Sequence, residues 1–318
     1  MNRPPSERFQ ILSLDGGGIK GLFAAAILTK LEEDLNINII DHFDLIVGTS
    51  TGGIIALALG LAIQPKEIVK FYVEKGPKIF GNPTGIRNLS HWLFRKFNQL
   101  PLQEALVECF ENRRLADSKK RLVITSYNLG EDNVYLFKTP HHVRLKRDYK
   151  IPMWKVALAT SAAPTYFPAF KGIESIRLID GGVWANNPTM VGIVEATSML
   201  EVPLSSISVL SLGTSDEIVR RPEWLDWTGK LPWAKSASAF EVIMRGQSLG
   251  ANNQALHLLG AERVSRLDPK VPRGLLALDR LNIDELLSRA ACESRVFGPT
   301  FEKKFMSHKV LPYKPLYT

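Results

Sequence analysis

Residues 44–63 read DLIVGTSTGGIIALALGLAI. The apolar segment 44–48 is typical of a buried strand. The apolar run 54–63 is typical of a buried helix, because it is well short of the ~20 residues that cross a bilayer. Between them, Gly48-Thr-Ser50-Thr-Gly52 matches the G-x-S-x-G nucleophile elbow, a sharp strand-to-helix turn that exposes a serine hydroxyl. Ser50 is therefore the candidate nucleophile, although a serine here also suits a plain helix cap.

Strands and helices alternate on both sides of this stretch. Apolar residues recur at helical spacing from Ile19 to Leu31, and Pro65 stands where a helix can begin. Strand-like segments lie at 9–14, 121–126, 134–138, 175–179 and 207–212. Such alternation predicts an α/β fold with a largely parallel central sheet.

The character of the sequence changes after about residue 215. Residues 76–100 are irregular, and the Trp- and Pro-rich segment 220–233 precedes helical patterns at 236–260 and 282–293. We expect a catalytic core over 1–215 and a helical cap over 216–318 packed on it, within one structural domain.

A glycine-rich loop, Asp15-Gly-Gly-Gly-Ile-Lys-Gly21, falls at a predicted strand end and helix start. Its backbone can approach a ligand closely and direct N–H groups at an anion, so it suits an oxyanion hole or a phosphate cradle. The G-x-G-x-x-G spacing is present, but no acid ends the second strand, and Leu22 stands where a P-loop needs lysine. Nucleotide binding at this loop stays open as an alternative.

A third motif, Asp180-Gly-Gly182, follows the strand-like segment 175–179. It is an Asp-Gly turn that can present a carboxylate to a cleft, and a serine nucleophile needs a base. His257 and His308 follow in the order of an α/β-hydrolase triad, but neither lies in a turn after a strand. The residues therefore leave a Ser-Asp pair and a Ser-Asp-His triad both open.

DGGGIKG, GTSTG and DGG occur in this order, with ATSAAPTYFPA at 159–169, and together they resemble the patatin-like phospholipase family. The resemblance implies a three-layer α/β/α fold and hydrolysis of phospholipid acyl esters without metal or cofactor. It also implies that Ser50 is the nucleophile and Asp180 its base. The implied oxyanion hole consists of Gly16, Gly17, Gly18 and Ile19. Supporting positions are Lys20 (arginine in many members), Gly48, Gly52, Gly181 and Gly182.

The net charge of +8 favours anionic partners. No zinc-finger, RNA-binding or helix-turn-helix pattern accompanies it, so a nucleic-acid polymer is disfavoured. A compact chain of this family also resembles bacterial anti-phage phospholipases that a cyclic oligonucleotide activates, which implies a cyclic dinucleotide activator at unassigned residues. Trp224, Trp227 and Trp233 either meet a lipid interface or pack the cap. We expect a cytoplasmic protein, peripheral at the inner membrane when active; the oligomeric state is left open.

Overall fold

A computed structural model describes residues 8–80, 97–174, 176–217, 223–227, 238–271 and 283–318. The strands in these ranges are β1 (Phe9–Leu14), β2 (Leu45–Gly48), β3 (Arg121–Asn128), β4 (Asn133–Lys138), β5 (Leu178–Asp180), β6 (Ile207–Leu212), β7 (Asp216–Glu217), β8 (Val264–Leu267) and β9 (Lys270–Val271). The helices are α1 (Gly21–Leu35), α2 (Thr51–Gly60), α3 (Pro65–Phe80), α4 (Leu100–Phe110), α5 (Met153–Thr160), α6 (Gly182–Ala185), α7 (Thr189–Ser198), α8 (Ser238–Leu259) and α9 (Ile283–Phe305).

The central sheet has the order β4-β3-β2-β1-β6-β8, with β5 also paired to β3. The strands β3, β2, β1, β6 and β8 run parallel to one another, whereas β4 and β5 run antiparallel to β3. The predicted α/β fold with a largely parallel sheet is confirmed. A small parallel pair, β7 with β9, lies outside this sheet.

Helices cover both faces of the sheet, because its central strands are buried on both sides. In β1, Leu12 and Leu14 pack on one face with α1, α2, α3, α5 and α9, and Phe9 and Ile11 pack on the other with α7 and α8. The same period of two recurs in β2, β3 and β6. The arrangement is the three-layer α/β/α fold that the resemblance implies.

Pairing along β3 brings two distant segments of the chain together. β4 occupies one edge of β3 from Val123 to Asn128, so β2 and β5 must share its other edge. β2 ends with Gly48 opposite Ile124, and β5 ends with Asp180 opposite Ser126. The turn after β2 and the turn after β5 therefore meet, and they carry the GTSTG and DGG motifs.

The region 216–318 is only partly the helical cap that the sequence suggests. It supplies β8 to the central sheet, and α9 packs against α1 in the main core.

The predicted strand at 175–179 is shorter and begins at Leu178, and Ser175 lies outside the described residues. The stretch predicted as irregular at 76–100 contains the end of α3, and residues 81–96 also lie outside the description. Within the described ranges, no helix is long and apolar enough to span a membrane.

Candidate active site

Ser50 stands on a tight turn between β2 and α2. Its backbone has φ 54° and ψ −123°, a conformation that side-chain-bearing residues rarely adopt and that marks a strained functional turn. A Cβ atom at Gly48 would overlap the backbone of Gly52, and a Cβ atom at Gly52 would overlap the carbonyl oxygen of Leu14. Both glycines are therefore required for the bend that presents the serine.

Three buried threonines hold this turn in place. The Ser50 N–H donates to Thr160 Oγ1 at 2.9 Å, and that hydroxyl in turn donates to the Thr125 carbonyl at 2.6 Å. Thr49 Oγ1 lies 2.7 Å from Thr125 Oγ1 and donates to the Ala185 carbonyl at 2.5 Å. The nucleophile turn is thus tied to β3, to the end of α5 and to the segment after Asp180.

Asp180 is a buried carboxylate in contact with the serine. Its pKa is raised to about 6 by burial, although hydrogen bonds from the Ser50 hydroxyl and the Gly182 N–H lower it. The Gly182 N–H lies 2.7 Å from Asp180 Oδ1, and the Asp180 N–H donates to the Ala162 carbonyl at 3.0 Å. The segment 159–169 therefore supports both residues, since Thr160 binds the Ser50 backbone and Ala162 binds the Asp180 backbone.

The glycine loop lies against the same turn. The Gly16 N–H donates to the Asn186 carbonyl at 3.0 Å, and Gly18 has φ 61°, in the left-handed region that favours glycine. Among the described residues, the N–H groups of Gly17, Gly18 and Ile19 have no hydrogen-bond acceptor. Of the four residues predicted for the oxyanion hole, these three keep a donor for an incoming ligand, and Gly16 does not.

A buried ion cluster anchors the base of this loop. Arg266 on β8 contacts Asp15 through two nitrogens, at 2.7 and 3.3 Å, and also binds Asp268 and the Ser211 hydroxyl, each at 2.7 Å. Burial lowers the pKa of Arg266, but the carboxylates of Asp15 and, to a smaller extent, Asp268 raise the pKa above its ordinary value. The sequence reasoning missed Arg266, because no motif surrounds it.

Helix α8 holds both catalytic segments through two consecutive residues. Gln247 Oε1 accepts the Asn186 N–H at 2.7 Å, and its amide nitrogen donates to the Trp184 carbonyl. The Ser248 hydroxyl lies 3.5 Å from Asp15 Oδ2. Sequence reasoning missed both residues, since a glutamine and a serine in a long helix carry no recognisable signal.

The histidines considered as alternative bases lie elsewhere. His308 Nε2 pairs with Asp44 Oδ2 at 2.7 Å, and Asp44 precedes β2 whereas Ser50 follows it, so the two residues lie at opposite ends of that strand. His257 is exposed near the far end of α8. Lys20 is half-buried at the end of the 3₁₀ turn before α1, and Gly181 packs against Thr125.

The assembled groups suit acyl transfer. A serine hydroxyl that donates to a buried carboxylate has its base in contact, and free loop amides beside the N-terminus of α2 can stabilise a developing oxyanion. Within the described residues, no group of three or more His, Cys, Asp and Glu is placed to hold a metal ion.

Comparison with known proteins identifies a protein family and individual relatives that are similar to this chain. A family model described as patatin-like phospholipase matches residues 12–193, the range that holds all three motifs. The chain is 33% identical over 287 residues to a cGAMP-activated phospholipase of Pseudomonas aeruginosa, with 86% of this chain and 84% of the relative covered. It is 35% identical over 241 residues to an Escherichia coli protein of the same description, and the match covers 70% of this chain and 67% of that relative.

A solved structure is similar in fold. VipD from Legionella pneumophila superposes with a TM-score of 0.50 at 12% sequence identity, over 94% of this chain and 67% of that protein. At this identity the likeness concerns the arrangement of the layers alone.

Proposed function

The chain belongs to the patatin-like phospholipase family and is a lipid hydrolase, and from that premise we propose that Ser50 and Asp180 cleave phospholipid acyl esters as a two-residue catalytic unit. The observation that carries the proposal is the hydrogen bond from the Ser50 hydroxyl to a buried carboxylate whose pKa is raised to about 6. A carboxylate with this pKa is ionised at neutral pH, yet it is a stronger base than an exposed aspartate.

The reaction proceeds in two halves. Asp180 accepts the Ser50 proton as the hydroxyl oxygen attacks the ester carbonyl, and the N–H groups of Gly17, Gly18 and Ile19 bind the oxyanion. The proton passes from Asp180 to the departing alcohol, which leaves an acyl group on Ser50. Asp180 then deprotonates a water molecule that attacks this ester. Collapse of the second tetrahedral intermediate releases the fatty acid, and the proton returns to Ser50.

Active-site labelling with a fluorophosphonate probe, combined with release of fatty acid from phospholipid vesicles, tests the assignment. The wild-type protein should be labelled at Ser50 and should hydrolyse the lipid. Ser50→Ala should lose both probe labelling and lipid hydrolysis, and Asp180→Asn should lose hydrolysis. Thermal unfolding shows whether each variant folds. Full hydrolysis by Ser50→Ala would refute the proposed nucleophile, and loss of activity in His257→Ala or His308→Ala as well as in Ser50→Ala and Asp180→Asn would point to a triad.

We further propose that a cyclic dinucleotide activates the enzyme in antiviral defence, acting on the cytoplasmic face of the membrane. The support is that two relatives at 33% and 35% identity are described as cGAMP-activated phospholipases, together with the net charge of +8, which favours an anionic ligand. Hydrolysis measured with and without cGAMP and other cyclic dinucleotides tests this proposal. Stimulation by one of them supports it, and a high rate that none of them changes contradicts it.

A further inference from the structure

The side chain of Asn186 lies in the catalytic cleft. A Cβ atom at Gly16 would lie 2.6 Å from Asn186 Oδ1 and 3.2 Å from Ser50 Cβ. A Cβ atom at Gly182 would lie 3.1 Å from Asp180 Oδ1 and 3.4 Å from the same amide oxygen. The empty sides of two glycines therefore face one amide oxygen, which lies beside both the nucleophile and the base.

This position explains the first glycine of the loop. The Gly16 N–H is bonded to the Asn186 carbonyl, so Gly16 supplies no donor to an oxyanion. Glycine is nevertheless required at position 16, because a side chain there would overlap the Asn186 amide. Gly16 thus makes room for a polar group next to Ser50.

A chain of hydrogen bonds fixes which end of the amide faces the site. Arg266 pairs with Asp15 at 2.7 Å, so that carboxylate is ionised and can only accept hydrogen bonds. The Ser248 hydroxyl, 3.5 Å from Asp15 Oδ2, therefore donates to it. The hydroxyl oxygen in turn accepts from Asn186 Nδ2 at 3.4 Å. The NH₂ group of the amide is directed toward α8 in this way, and its oxygen is directed toward the catalytic pair.

The amide oxygen can still accept a hydrogen bond. Among the described residues, no donor is bonded to Asn186 Oδ1, and the residue is only partly buried. The backbone of Asn186 is held separately, because its N–H donates to Gln247 Oε1 at 2.7 Å and its carbonyl accepts the Gly16 N–H at 3.0 Å. The segment after Asp180 is therefore anchored without the side chain of Asn186.

The second half of the reaction needs such an acceptor. In deacylation the attacking water gives one hydrogen to Asp180, and a lone pair of its oxygen has to point at the acyl carbon. When the other hydrogen is donated to Asn186 Oδ1, both hydrogens are fixed and the lone pairs point to the remaining side. In acylation the attacking oxygen belongs to Ser50, and its bond to Cβ already fixes its direction. Only deacylation therefore gains from a second acceptor.

We propose that Asn186 is a positioning residue for deacylation, whose Oδ1 orients the hydrolytic water while Asp180 removes its proton; the inference rests on the proposed function. The water oxygen bonds to the acyl carbon, and the bond from that carbon to Ser50 Oγ breaks. The proton that Asp180 has accepted passes to Ser50. Asn186 only accepts a hydrogen bond and exchanges no proton.

Pre-steady-state hydrolysis of a p-nitrophenyl ester, with and without cGAMP, tests the inference, because nitrophenol leaves on acylation and later turnover depends on deacylation. Asn186→Leu keeps the volume of the side chain and so admits no substituting water. It should slow deacylation about ten- to a hundredfold while the burst rate and the rate of fluorophosphonate labelling stay within about twofold of the wild type. The acyl-enzyme should then accumulate, which intact-mass spectrometry detects.

The neighbouring Asn187 supplies the control for a structural effect. Asn187 is buried, its Oδ1 accepts the Thr189 N–H at 3.0 Å, and its Nδ2 donates to the Ser248 carbonyl at 3.3 Å. Asn187→Ala should therefore lower the temperature of thermal unfolding and leave the ratio of the acylation and deacylation rates unchanged.

A conservative variant tests the acceptor itself. Asn186→Asp keeps an oxygen at this position, so it should deacylate faster than Asn186→Leu does. The comparison is made at pH 8, because a second carboxylate raises the pKa of Asp180 and both groups have to be ionised.

Two outcomes would overturn the water-orienting role. One is equal slowing of both steps in Asn186→Leu, and the other is a deacylation rate that Asn186→Leu leaves unchanged. Failure of the proposed function has a different signature, since a Ser50→Ala protein would then still hydrolyse the ester. A wild-type enzyme labelled at Ser50, together with normal deacylation in Asn186→Leu, would refute the role of Asn186 alone.

Discussion

This enzyme should lose activity at a pH well above the one at which an ordinary aspartate is protonated. Burial raises the pKa of Asp180 from 3.8 to about 6. With that pKa, roughly nine tenths of the carboxyl is ionised at pH 7 and roughly one tenth at pH 5. Since only the ionised form can accept the Ser50 proton, kcat/KM should fall about tenfold between these pH values. An aspartate at its ordinary pKa would stay more than about nine tenths ionised at both, and the rate would hardly change.

The assay is the pH profile of kcat/KM for a soluble ester that does not itself titrate, from pH 4.5 to 8. Thermal unfolding at each pH shows that the protein remains folded. A flat profile between pH 7 and pH 5 would refute the reasoning, because the base would then either be a different group or lie in a well-solvated site. Rates of fluorophosphonate labelling should follow the same curve.

The same pKa shift makes a prediction about stability. Between pH 4 and 6 the folded protein holds a proton on Asp180 that the unfolded chain has lost, so the free energy of unfolding should fall as the pH rises through this window. The shift corresponds to up to about 3 kcal/mol. Asp180→Asn removes this contribution. The free energy of unfolding of the variant minus that of the wild type should therefore increase from pH 4 to pH 7. Urea denaturation at several pH values measures it, and a constant difference would contradict the assignment.

Three further substitutions test the supports of the site. Thr160→Val removes the acceptor of a buried backbone N–H at the nucleophile turn, so it should cost about 1–3 kcal/mol in chemical denaturation and slow probe labelling, whereas Thr160→Ser should restore both. Gln247→Leu should lower kcat about ten- to a hundredfold with little change in KM, because it releases the backbone after the catalytic aspartate. The control Gln254→Leu changes an exposed residue of the same helix and should behave as the wild type does. Equal effects of the two substitutions on kcat would argue against a positioning role for Gln247. Arg266→Met leaves Asp15 buried without its cation and should destabilise the protein by about 3–5 kcal/mol, which a urea unfolding curve would show; an unchanged midpoint would mean that water or another cation replaces the guanidinium.

Much of this protein can be predicted from the order of its residues, because the deciding signals are local. The apolar strand, sharp turn and apolar helix around Ser50 are contiguous, so their conformation follows from neighbouring residues. Glycine is required at positions 48 and 52 because a side chain there would overlap backbone atoms, which lie either a few residues away or in the adjacent strand. The strand-helix alternation likewise predicts the α/β class, since each element shows its own period.

The tertiary structure decided which of these segments meet. Ser50 and Asp180 are 130 positions apart, and only the shared edge of β3 brings their turns together. Burial of Asp180, and with it the raised pKa, depends on the packing of several elements, which no local pattern encodes. Gln247 and Arg266 reach the site from the last third of the chain, where no motif marks them. Local conformation is set by neighbours in sequence, whereas the ionisation and alignment of the catalytic groups are set by neighbours in space.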